Sequence, residues 1–91
     1  MNQPHVTASA VQQQLMATLA PLELEVRDDS AAHAGHAGAR EGSHLSVRIV
    51  SDRFSGLTRL ARHRLVYDSL STLMPQGIHA LAIDARAPGE P

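Results

Sequence analysis

"HLSVRIVSDRFSGLTRLARHRLVYDSL", residues 44–70, changes its hydrophobic period once, and the position of that change decides the fold. Up to Val50 the residues alternate: Leu45, Val47 and Ile49 fall on one face, and His44, Ser46 and Arg48 on the other. This is the period of a strand with one buried face. Beyond "SDRFSG" the spacing is helical but runs in two stripes. Leu57, Leu60, Ala61 and Leu65 lie on one side, whereas Val66, Tyr67, Leu70, Leu73 and Met74 lie on roughly the opposite side. One straight helix cannot bury both, so the pattern predicts a short helix or turn followed by a longer helix starting near Leu60.

Upstream, "TASAVQQQLMATLAP" places Ala8, Val11, Leu15 and Leu19 at helical intervals, with Thr7 or Ser9 available as N-cap and Pro21 as the stop. "LELEVR" then alternates, with Leu22, Leu24 and Val26 inward and Glu23, Glu25 and Arg27 outward. Two such strands in succession suggest an antiparallel hairpin, although the connection far exceeds the roughly two to five residues of a tight one. Downstream, "PQG" closes the helix and "IHALAID" reads as a third strand. Ile78, Ala80 and Ala82 share one of its faces, His79, Leu81 and Ile83 the other, and the pattern leaves the core face open. The tail "ARAPGEP" has no apolar anchor, so the core is expected over about 7–85 and 86–91 are expected to fray. The order α-β-β-α-α-β defines an α+β layer, a three-stranded sheet with helices on one face, in which a helical crossover permits a parallel third strand.

At 91 residues the chain fits one small domain. It has no cysteine, which excludes disulfides, thiolate metal sites and thiol catalysis and leaves metal chemistry to histidine and carboxylate. No basic n-region with an apolar run follows the first residue, and no stretch approaches the ~20 apolar residues of a membrane span. The expectation is a cytoplasmic protein without a membrane partner. The net charge is −1, and all eight basic residues are arginine. Four of them, Arg53, Arg59, Arg62 and Arg64, fall within twelve acid-free positions, as a solvated helix face or as an anion- or partner-binding patch.

"SAAHAGHAGAREGSH", residues 30–44, carries His33, His36 and His44 on a segment too poor in apolar residues to build a core. Neutral imidazole ligates zinc, iron and copper, but a site needs convergent side chains, and His33 and His36 on a Gly/Ala loop fix no geometry. His79 is held by a strand, either as a ligand or as a hydrogen-bonded structural histidine. His63 falls on the second helical stripe and reads as packed or capping, and His44 as a strand-face residue. Gly35–Gly38 spell G-x-x-G, the loop with which KH modules clamp a nucleic-acid backbone, but that loop joins two helices and this one joins two strands. No G-x-S-x-G elbow is present, and Asp28 and Asp29 are adjacent and so point to opposite faces of a strand. An enzyme is not expected.

"VRDDSAAHAGH", the stretch quoted first and "IHALAI", in this order, resemble the BolA family over about residues 20–85. The resemblance implies a class II KH-like fold with the element order reached above. It also implies a monothiol glutaredoxin as partner and a [2Fe-2S] cluster shared with that partner and its glutathione, with no cofactor expected when the chain is alone. Carried over, His79 of "HAL" is one ligand. The second is His33, counted forward from "DDS", or His36, because the loop is longer than in many relatives. Imidazole in place of thiolate removes negative charge from a cluster and raises its potential, and protonation of the imidazole competes with binding. The chain alone is expected to be a monomer or weak dimer, acting in iron-sulfur or iron homeostasis. Family members are also described as transcriptional regulators, with residues 54–67 likened to a helix-turn-helix; Arg59, Arg62 and Arg64 would then contact DNA phosphates.

Overall fold

The structure, a computed structural model, describes residues 7–29, 43–76 and 78–90. Helix α1 spans Ala8–Leu19, with the Thr7 side chain accepting the Ala10 N–H at 3.1 Å as N-cap. Ala20 follows in the left-handed region at φ 44°, where the backbone leaves the helix axis ahead of Pro21. Strands β1 (Glu23–Asp28) and β2 (Ser43–Val50) pair antiparallel, with Val26 opposite Val47. Strand β3 (Ile78–Arg86) pairs parallel with β2, giving the sheet order β1-β2-β3. The right-handed rule for parallel crossovers places the intervening helix over the sheet.

Between β2 and β3 lie a 3-10 turn at Asp52–Phe54, helix α2 (Arg59–Ser69) and a second 3-10 turn at Met74–Gln76. The first "helix" of the pair is therefore a single turn. Ser55 at φ −60°, ψ 128° and Gly56 at φ 76°, with the Leu57 N–H donating to Phe54 O at 3.1 Å, form a type II β-turn. Its third position requires positive φ, which glycine adopts without steric cost. Thr58 caps α2 by accepting the Ala61 N–H. The helix stops at Ser69, short of "PQG": the Leu70 N–H is shared between Val66 O and Tyr67 O, and Ser69 Oγ donates back to Leu65 O.

The core is made by Val11, Leu15 and Leu19 of α1, Leu45, Val47 and Ile49 of the central strand, Phe54, Val66 and Leu70. Leu24 and Val26 of β1 and Leu81, Ile83 and Ala85 of β3 are half-buried at its margins, which settles the open face of β3. The two stripes of α2 resolve the same way. Val66 is buried with Leu70, while Leu60 stays 64% exposed because the helix turns only one face to the sheet. Leu22 departs from the expected alternation. Its N–H bonds Val50 O at 2.8 Å, but it stands where β2 ends, and its side chain is exposed.

The segment after residue 85 also differs from expectation. Strand β3 continues through Arg86, Ala87 is buried, and Glu90 folds back onto α2. An ion pair replaces the missing apolar anchor. Gln14 Nε2 of α1 donates to Ser69 O at 3.0 Å and joins the two helices.

Candidate functional site

Of the three histidines assigned by sequence, His33 and His36 lie outside the described residues. His79 is placed by its backbone. In the parallel ladder Ser43 stands opposite Ile78 and His44 opposite Ala80, so His79 is the extra residue of a register shift. Such bulges are enriched beside functional sites. Because β3 runs parallel to β2, this irregularity lies at the end of the sheet where β2 begins. The 30–42 connection arrives at that same end.

The departure point of the connection is anchored as well. Asp29 N–H donates to His44 O at 2.7 Å, extending the β1–β2 pairing by one bond. The Asp29 carboxylate accepts Arg27 Nε at 2.9 Å and the Ser46 hydroxyl. Asp29 and Ser43, the described residues on either side of 30–42, thus stand at the end of the sheet where β3 begins. Among the described residues no three histidine, cysteine or acidic side chains group as a metal site.

The arginine patch is not the uniform surface that its spacing suggests. Arg59 and Arg64 are exposed. Arg62 has a side chain only 14% exposed: Nε donates to Leu57 O at 2.9 Å, Nη1 to Ala85 O at 3.3 Å, and the Glu90 carboxylate takes Nη1 and Nη2 at 2.5 and 2.7 Å. Every nitrogen of its fork is engaged within the chain, so an external anion reaches Arg62 only by displacing Glu90. Residues 54–67 likewise hold one helix preceded by a β-turn, not the helix pair of a helix-turn-helix. The Arg62 guanidinium and the Ala87 N–H hold the Glu90 carboxyl at about 2, below the ordinary glutamate value. Near the end of β3, Arg86 pairs with Asp84 at 2.9 Å and lowers the Asp84 carboxyl.

Helices packed on a three-stranded mixed sheet define a small α+β fold. The chain belongs to the BolA family: the family described as BolA-like protein matches residues 15–90. SufE-like protein 1 of Arabidopsis thaliana is 44% identical over 86 residues, covering 88% of this chain and only 23% of that protein. The solved BolA domain of the same Arabidopsis protein superposes with a TM-score of 0.80 at 45% identity, covering 92% of this chain and 94% of that domain. A Sinorhizobium protein called "Uncharacterized protein in cobS 5'region" is 43% identical over 89% of this chain and 90% of its own length. The Escherichia coli protein named "DNA-binding transcriptional regulator BolA" is 41% identical over 80% of this chain and 68% of its own length.

Proposed function

We propose that this chain is a non-enzymatic partner of a monothiol glutaredoxin and co-ligates a [2Fe-2S] cluster through His79 and one histidine of the 30–42 connection, His33 or His36. The observation that carries the reading is the register shift at His79 beside the strand into which the histidine-bearing connection runs. On this reading imidazole donors from two distant sequence positions converge, as a shared cluster requires. The chain's own part is to present neutral nitrogen donors; the cluster, when bound, supplies the electron-accepting chemistry. With no cysteine in the chain, the remaining ligands come from the partner. A cytoplasmic role in iron or iron-sulfur homeostasis follows from this reading. Members of the BolA family are in general not enzymes.

Titration of the chain into a cluster-loaded monothiol glutaredoxin, followed by visible circular dichroism, tests it. A new spectrum saturating at one-to-one stoichiometry supports the shared cluster. An unchanged spectrum with the cluster intact contradicts it.

A second reading, transcriptional regulation by DNA binding, is favoured by the name of the E. coli relative and by the exposed Arg59 and Arg64. It rests on those two arginines and not on Arg62.

A further inference from the structure

The cleft between α2 and the end of β3 encloses about 620 Å3 and is lined by Arg59, Arg62, His63, Asp84, Arg86 and Glu90 among others. Glu90 forms part of its wall, so the volume is what remains with the Glu90 carboxylate in place. Around it the chain builds a carboxylate receptor. Main-chain carbonyls of Leu57 and Ala85 hold the Arg62 fork in place, and the fork meets both carboxylate oxygens. The Ala87 N–H adds a third bond at 3.0 Å. Paired bonds of this kind are among the stronger polar contacts in proteins, and their planar geometry suits carboxylates.

Receptor and occupant are held very differently. Arg62 is fixed by a helix and two carbonyls. Glu90 is carried by an exposed turn, Pro88–Gly89, closed by one main-chain bond from Glu90 N to Ala87 O at 3.2 Å. Swinging that turn away leaves the receptor standing. The cleft then presents three arginines against one carboxylate, Asp84, which Arg86 already engages. Arg59, exposed and without an ion pair among the described residues, lines the cleft and acts on Asp84 through space.

We propose that this cleft is the docking site for an acidic segment of a partner protein, and that Glu90 is an internal occupant which such a segment displaces. The receptor's two-oxygen geometry matches a carboxylate, the volume admits more than one acidic side chain, and the excess positive charge without Glu90 favours a segment with at least two. Asp84 weighs against the denser charge of a phosphate. The strap lowers apparent affinity by the fraction of time that it is open: a turn closed nine-tenths of the time costs about tenfold. The inference does not depend on the cluster, so the two accounts fail separately.

The test is fluorescence anisotropy of a labelled tetraglutamate peptide with the full chain at low ionic strength. Glu90→Ala is expected to bind about tenfold tighter than the parent chain, and adding Arg59→Gln to remove most of the gain. Glu90→Gln keeps an acceptor for the Ala87 N–H, and hence the turn, and is expected to move affinity in the same direction; it carries the test should the alanine variant fail to fold. Equal affinities for parent and variants, with native circular dichroism, overturn the proposal. A gain for inorganic pyrophosphate with none for tetraglutamate also overturns it, by assigning the cleft to phosphate.

Discussion

Ser51 Oγ donates to the carbonyl of Leu19 at 2.7 Å, and both residues are buried. Leu19 O belongs to the last turn of α1, where carbonyls lack intrahelical partners. The same hydroxyl accepts the Arg53 N–H at 3.1 Å, so one side chain closes the end of α1 and starts the turn after β2. Ser51→Ala leaves a buried carbonyl and a turn N–H without this partner. It is expected to destabilise the domain by about 1–3 kcal/mol, read from the urea midpoint at unchanged slope.

Two backbone positions are expected to respond in opposite directions. Ala20 sits at φ 44° and Gly56 at φ 76°. Left-handed geometry costs an alanine roughly 1–2 kcal/mol, and glycine's extra freedom in the unfolded chain returns about half of that. Ala20→Gly should therefore stabilise by about 0.5 kcal/mol, and Gly56→Ala should destabilise by about 1 kcal/mol. Apart from Gly56 itself and its two chain neighbours, no heavy atom of the described residues lies within 4 Å of a Cβ placed there, so the second effect comes from the dihedral. Paired thermal melts of the two variants check the signs.

The Glu90 strap has a pH signature. Arg62 from α2 and the Ala87 N–H lower the carboxyl to about 2, with Arg86 of β3 adding to the effect and His63, Arg59 and Asp84 around the same cleft. A depressed carboxylate contributes stability that is complete above its ordinary value and is lost as pH falls through the folded one. The difference in melting temperature between the parent chain and Glu90→Gln should thus be constant near neutrality and shrink from about pH 4.5 towards pH 2. A difference that grows on acidification contradicts the ion pair.

If the chain also binds duplex DNA, the salt dependence assigns the contacts. Arg59→Gln with Arg64→Gln should flatten the logarithmic salt slope by about 2, close to one unit per lost phosphate contact. Arg62→Gln should leave the slope unchanged and lower stability, since that side chain serves Leu57, Ala85 and Glu90. Anisotropy over a salt series measures both.

What could be read from sequence was what depends on near neighbours. Alternation at Leu45, Val47 and Ile49 and the helical spacing of Val11, Leu15 and Leu19 reached the right faces because each is a local periodicity filled by residues large enough to need burial. The face of β3 stayed open because Ala80 and Ala82 carry almost no hydrophobic preference; the packing of Leu81 and Ile83 settles it. Leu22 continued the alternation past the point where a neighbouring strand could cover it. The Arg62–Glu90 pair joins positions 28 apart through a fold that must exist first, and no local signal marks it. Of the candidate site, the naming of His79 with His33 or His36 rests on the resemblance alone. The bulge that places His79 was not legible, because register belongs to the pairing of two strands and not to either alone.

The most direct test of the central claim labels this chain uniformly with 15N, leaves the glutaredoxin unlabelled, and records pulsed electron paramagnetic resonance of the reduced heterocomplex. Strong 15N couplings of directly bound imidazole, reduced from two nitrogens to one in His79→Ala while the chain remains folded, are the result predicted. Spectra free of strong 15N coupling, or couplings undiminished by His79→Ala, contradict the assignment of His79 as a cluster ligand.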